Sequence, residues 1–223
     1  MRLIILGTDT DVGKTWITTG LVTELRQRGR PTWLHKPVAC GDWDGVSAAD
    51  GRSLRALAGD GQDPATICPR EFPEACSPHL AARVAGHQIA LETLVEDART
   101  LGEQAGPRAL VVDTAGGLLA PLTHRRDTNR DLARALGWPC LIVTRPHLGT
   151  LNHTCLTVEA ARGLDVRGII INHHQPTTPT LAVRTAGEEL AALTGLPMLA
   201  EVAYGAPAEA WAPQVLDRLG DMA

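Results

Sequence analysis

Lysine is nearly absent from this chain: Lys14 and Lys36 are the only two, against nineteen arginines. Arginine meets the general need for positive charge, so the places that keep lysine want a compact, flexible ammonium. A phosphate oxygen crowded by backbone N–H groups is one such place. An arginine-rich composition alone also leaves few lysines, so the pattern counts only together with the motifs around the two. Aromatic residues are scarce at 3%, and tryptophan supplies five of them, a bias to which the sequence attaches no role. The five cysteines (Cys40, Cys68, Cys76, Cys140 and Cys155) are odd in number, scattered and without C-x-x-C spacing. That pattern argues against a disulfide framework and a zinc site, and fits a reducing cytoplasm. No apolar run approaches the ~18 residues of a membrane span. The segment Met1–Gly7 is too short for a signal peptide and leads straight into a glycine loop. A net charge of −4 and a pI near 6.0 argue against a nucleic-acid-binding surface.

What is present is enough for a core. With 223 residues, 44% of them hydrophobic, the chain is read as a single domain spanning 1–223. Short, nearly unbroken apolar runs predict strands at Leu3–Leu6, Pro31–His35, Ala109–Val112, Cys140–Val143 and Gly168–Ile171. Amphipathic stretches predict helices at Lys14–Arg28, Leu91–Ala105, Asn129–Leu136, Leu151–Arg162 and Thr180–Leu193. The alternation implies an α/β fold, a mostly parallel central sheet with helices on both faces. The stretch Asp42–Pro78, rich in Gly, Asp and Pro, shows no strong period and is expected to supply loops around the site.

The sharpest motif is G-T-D-T-D-V-G-K-T, residues 7–15, between the first strand and the first helix. Strand, glycine loop and helix together make a phosphate loop, whose N–H groups and helix N-terminus converge on an anion. Gly13 permits close backbone approach. Lys14 is placed to reach the β- and γ-phosphates and the Thr15 hydroxyl to ligate Mg²⁺. The first glycine of the strict pattern is replaced by Thr8, with Gly7 one residue earlier. Asp113 ends an apolar strand, the position of a carboxylate that serves the metal. Asp50 is the other candidate; the alternative reading makes it the N-cap of a short helix. For Lys36 the alternative is a surface lysine at a strand end. Asp42, Asp44 and Asp60 read as solvated loop charges. Adjacent His173 and His174 point opposite ways on a strand and do not make a metal pair.

Taken in order, these motifs resemble dethiobiotin synthetase. Besides the phosphate loop, the resemblance rests on H-K-P-V-A-C-G (35–41), S-P-H-L-A-A (77–82), V-D-T-A-G-G-L-L-A-P-L (112–122), L-G-T-L-N-H-T-C-L-T (148–157) and I-N-H-H-Q-P (171–176). The family pattern differs at four points: it has Ser where this chain has Cys40, Glu-Gly at Asp113-Thr114, Asn-Asp at Asn172-His173, and a different ending at E-V-A-Y (201–204).

The resemblance implies an ATP-dependent cyclo-ligase, a dethiobiotin synthase. One amine of 7,8-diaminopelargonic acid attacks CO₂ to give a carbamate, ATP phosphorylates it, and the second amine displaces phosphate to close a cyclic urea. It implies Lys36 and Lys14 as catalytic residues. Asp11, Val12, Gly13, Lys14, Thr15, Trp16, Asp50, Asp113, Thr114, Ala115 and Gly116 would hold the nucleotide, with Asn172, His173, Ala203 and Tyr204 around its base. Thr15, Asp50 and Asp113 would hold Mg²⁺. Thr10, Lys36, Cys40, Gly117, Gly149, Thr150, Leu151 and Asn152 would hold the diamine. In that family the helix opened by Gly149–Asn152 comes from the partner subunit, which implies a homodimer with the site at the interface. The implied partners are small molecules, with neither nucleic acid nor membrane. Two alternatives stay open: a partition-type phosphate-loop ATPase, although Gly7–Thr10 carries no extra lysine, and a nucleotide-binding regulatory paralogue without ligase activity.

Overall fold

The computed structural model describes residues 1–176 and 178–220. Its strands are β1 (Arg2–Gly7), β2 (Thr32–His35), β3 (Ala39–Cys40), β4 (Glu71–Phe72), β5 (Ala109–Asp113), β6 (Cys140–Thr144), β7 (Val166–Asn172) and β8 (Met198–Val202). Its α-helices are α1 (Lys14–Gln27), α2 (Ala49–Arg55), α3 (Pro78–Val84), α4 (Leu91–Ala105), α5 (Asn129–Leu136), α6 (Thr150–Ala160), α7 (Leu181–Thr194) and α8 (Ala212–Gly220).

Six strands form one parallel sheet in the order β2-β5-β1-β6-β7-β8, and β3 pairs with β4 in a small second sheet. The unbroken apolar runs follow from burial on both faces. Ile4, Leu6, Leu110, Val112 and Ile142 point to one side, with α4 and α5 packed over them. Their neighbours Leu3, Ile5, Val111, Leu141 and Val143 point to the other side, against α1 and α8. Because β1 is central, the loop that leaves it opens in the middle of the carboxyl edge of the sheet, where open α/β folds place their ligands.

The five strands and five long helices anticipated from the sequence are all present, with ends shifted by a residue or two. Larger corrections also arise. β3, β8, α3 and α8 have no counterpart in the sequence reading, and the stretch Asp42–Pro78, expected to be irregular, holds α2 as well as β4. Asp50 does not cap α2: Ala48 is the N-cap residue, and Asp50 sits in the first turn. An acid there favours the positive end of the helix dipole and needs no cap hydrogen bond.

Candidate active site

The cleft above the carboxyl edge has a volume of about 700 Å³. Thr10, Asp11, Gly13, Lys14, Thr15 and Trp16 line it from the loop and the start of α1. Lys36, Cys40 and Asp50 line another side, and Thr114, Ala115 and Gly116 a third.

The loop conformation is fixed from several directions. Gly13 has φ 84°, and a Cβ there would collide with the Asn172 side-chain amide, so only glycine fits. Asn172 Nδ2 donates to the Val12 carbonyl at 2.9 Å, and Val12 itself is fully buried. On the other flank Arg145 pairs with Asp9 Oδ2 at 3.1 Å, and Asp9 Oδ1 accepts from the Thr10 N–H at 2.8 Å. The Asp9 carbonyl accepts from Lys14 Nζ at 3.1 Å, which aims the ammonium along the loop. Burial, and then the like charge of Lys36, lower the Lys14 ammonium to about 8, against the pull of Asp113, Asp50 and Asp11.

The floor of the cleft is a knot of charge. Asp113, the last residue of β5, is fully buried; its Oδ2 accepts from Thr15 Oγ1 at 2.6 Å and from Lys36 Nζ at 2.7 Å. Lys36, immediately after β2, is 2% exposed and also pairs with Asp50 Oδ2 at 2.8 Å. A surface lysine is thereby excluded. Burial alone would weaken the Lys36 ammonium; the Asp113 and Asp50 carboxylates override it and hold it above its ordinary value. Asp50, half exposed to the cleft, meets the converse balance. Desolvation opposes its charge, and Lys36 draws its carboxyl below the usual range.

Thr15, Asp50 and Asp113 offer a hydroxyl and two carboxylates, hard oxygens of the kind magnesium takes. Asp113 Oδ1 is buried and has no hydrogen-bond partner among the described residues, so a ligand oxygen remains for a cation. The residues fit that ion. The Cys40 thiol is pushed up to about 12 by burial, with Cys76 nearby, so it stays protonated as the serine of the family pattern would.

Other residues named from the sequence lie elsewhere or act differently. Thr114 Oγ1 donates to the Ile5 carbonyl at 2.7 Å, leaving only the rest of the residue for the cleft. Gly117 faces a separate groove shared with Thr8, Asp9 and Thr10. Gly149, Leu151 and Asn152 are not on the 700 Å³ cleft, and Thr150 Oγ1 is buried in a hydroxyl chain with Thr144 and Thr154. His173 Nε2 lies 2.7 Å from Glu201 Oε1, so a neighbouring strand puts a carboxylate beside the position that lost one. Ala203 and Tyr204 follow β8 and are exposed. Sequence reasoning missed Asn129, whose buried amide donates to the Ala115 and Gly117 carbonyls at 2.7 and 2.8 Å and so shapes the turn after Asp113. It also missed Asp9 and Arg145, whose 136-residue separation hides their pairing. No local pattern marks any of the three.

Fold and loop together define a phosphate-loop nucleotide-binding protein, and an AAA-domain family matches residues 1–210. Among solved structures, the MinD cell division protein of Aquifex aeolicus superposes with a TM-score of 0.59 at 11% identity, covering 99% of this chain and 97% of that one. A ParA family ATPase from Chlorobium tepidum superposes at 0.53 with 14% identity, covering 97% and 89%. These likenesses concern the fold alone. The ATP-dependent dethiobiotin synthetase BioD of Anaeromyxobacter dehalogenans (strain 2CP-C) is 43% identical over 195 residues, 86% of this chain and 85% of its own length. The protein of the same name from Rhodococcus erythropolis is 38% identical over 210 residues, 92% and 89% of the two chains. The chain belongs to the ATP-dependent dethiobiotin synthetase family.

Proposed function

We propose that the chain is an ATP- and Mg²⁺-dependent cyclo-ligase that converts 7,8-diaminopelargonic acid and CO₂ to dethiobiotin, with ADP and phosphate as the other products. The observation that carries this reading, beside family membership, is the convergence of Lys36, Asp113, Asp50 and Thr15 on the floor of a cleft opened by the phosphate loop. Lys14 and the N–H groups at the start of α1 receive the phosphates. Thr15, Asp50 and Asp113 would hold magnesium, which when bound supplies charge neutralisation at the transferring phosphoryl group. Lys36, fixed by two carboxylates, presents its charge to the carbamate and to that phosphoryl group without having to reorganise during reaction. The Ala115–Gly117 turn, held by Asn129, offers backbone N–H groups beside the reacting atoms.

One domain would carry all of this, in a homodimer. The opening of α6 lies away from this chain's own cleft, which suits delivery of Gly149–Asn152 to a partner's substrate. Asn172, His173, Ala203 and Tyr204 would border the base. Among the described residues no helix is long and apolar enough to cross a membrane, and a cytoplasmic setting accords with the free cysteines.

The test is turnover. Incubation with the diamine, CO₂, Mg²⁺ and ATP is expected to yield dethiobiotin, ADP and phosphate in equal amounts. ATP hydrolysis that ignores the diamine would instead place the chain with the partition-type ATPases. Folded, ATP-binding protein without any turnover would make it a regulatory paralogue.

A further inference from the structure

Asp42 reads from the sequence as a solvated loop charge, yet the structure puts it on the wall of the cleft. The other acids and bases there are accounted for. Asp50 and Asp113 are tied to Lys36, and on the loop side the Asp11 carboxylate lies in the field of Lys14 and the helix N-terminus. The wall built from Ala39, Cys40, Gly41, Ala75, Cys76 and Pro78 is uncharged apart from Asp42. Among the described residues the Asp42 carboxylate has no ion-pair partner. Arg52 pairs with Asp44 Oδ2 at 3.0 Å and reaches only the backbone carbonyl of Asp42, at 3.2 Å. Asp42 adopts a left-handed φ of 46°, and the Gly41 N–H before it is tied to the Phe72 carbonyl at 3.0 Å. The backbone on both sides of the carboxylate is therefore held.

The two sides of the cleft consequently differ in sign. The loop side, with Lys14 and a helix N-terminus, receives anions. The Asp42 side repels a triphosphate and attracts a cation, and its small apolar and thiol groups suit the alkyl carbons that bear amines. Alkyl amines, like the lysine side chain with a pKa near 10.4, are ammonium ions at neutral pH. The amine that attacks CO₂ must shed its proton first, and the second amine must shed its own only at the later step in which it displaces phosphate.

Resting on the function proposed above, we infer that Asp42 is a substrate-binding residue whose carboxylate receives one ammonium of the vicinal diamine and so assigns the diamine to this side of the cleft. Asp42→Asn is the informative change, because asparagine tolerates the left-handed backbone as aspartate does and only the charge is lost. Calorimetric Kd values would be measured for wild type and Asp42→Asn with three ligands besides ATP: 7,8-diaminopelargonic acid and its two monoamine analogues, 7-amino- and 8-aminononanoic acid. The diamine is expected to bind the variant roughly tenfold more weakly, as for loss of one charge-assisted hydrogen bond at a half-open site. ATP affinity and the melting temperature should stay put. One monoamine, the analogue lacking the contacted amine, should bind both proteins alike. Unchanged diamine binding, an equal loss for ATP, or an equal loss for both monoamines would each overturn the assignment. Wild-type protein that binds ATP and not the diamine would overturn the functional reading itself, an outcome separable from failure of the Asp42 contact alone.

Discussion

Lys36 concentrates the chemistry into one side chain. It is enclosed by Asp113 at 2.7 Å, Asp50 at 2.8 Å and Thr15 at 3.3 Å, with 2% of its surface exposed. A guanidinium keeps the charge but is planar and larger, and a pocket closed on three sides cannot take it without displacing a carboxylate. Lys36→Arg is therefore expected to fail almost as badly as Lys36→Ala. An oriented charge of this kind contributes about 3–4 kcal/mol to a transition state, a loss of roughly a hundredfold or more in kcat. Nucleotide Kd, set mainly by the loop around Lys14, should move far less. The measurement is kcat beside nucleotide Kd for both variants, with melting curves, since Lys36→Ala leaves Asp113 buried without its partner. An active Lys36→Arg enzyme would mean that bulk positive charge suffices. Most of this site was legible in the sequence because the phosphate loop and the strand-end carboxylate are local patterns. The Lys36–Asp50 pairing was not, since it depends on how residues 42–48 bring α2 back over the end of β2.

At the scale of elements, the strands buried on both faces were readable because their central residues are apolar whichever way they point, with polar residues such as Arg2, His35, Asp113 and Thr144 at their ends. The missed elements lack that signal. β8 is an edge strand with the exposed Glu201 one residue before its end, and α2 and α3 are seven residues each, too short to display a period. α8 was missed although it closes the core against α1, with Val215 and Leu216 buried. The contact is close because of Gly20. A Cβ there would collide with the edge of the ring of Trp211, the residue just before α8, lying 2.6 Å from Cη2. Glycine inside a helix ordinarily costs ~0.5–1 kcal/mol relative to alanine, so Gly20→Ala would stabilise an isolated helix. Overpacking a full core costs ~1–3 kcal/mol and should win here. A melting temperature lower by roughly 3–6 °C is expected. The control is the same change in a Trp211→Leu background, where it should become neutral or stabilising. If Gly20→Ala raises the melting temperature in the native background, the close helix contact is not what holds this position.

For the molecule as a whole, acid sensitivity follows from one histidine in the sheet. His35 ends β2 with no exposed surface; its Nδ1 lies 3.1 Å from the Thr66 carbonyl and its Nε2 has no hydrogen-bond partner among the described residues. Burial, only partly offset by the Thr66 carbonyl, pulls its pKa down from 6.5 to about 4. The unfolded chain then binds a proton that the folded chain refuses throughout the window between those values. Stability is therefore complete above about pH 6.5 and is lost progressively as the pH falls through 4. At pH 5 the loss from this residue is about 2 kcal/mol, the difference in protonation free energy of a group with those two pKa values. Other groups titrate in the same range, so the quantity to compare is the pH slope with and without the imidazole. Urea midpoints at pH 7.5 and pH 5 would be measured for wild type and His35→Gln, whose amide can still donate towards the Thr66 carbonyl. The variant is expected to lose less stability on acidification, by roughly the same 2 kcal/mol. Parallel slopes for the two proteins would show that His35 takes up its proton in the folded state without penalty, and the acid response would then have to come from the carboxylates around Lys36.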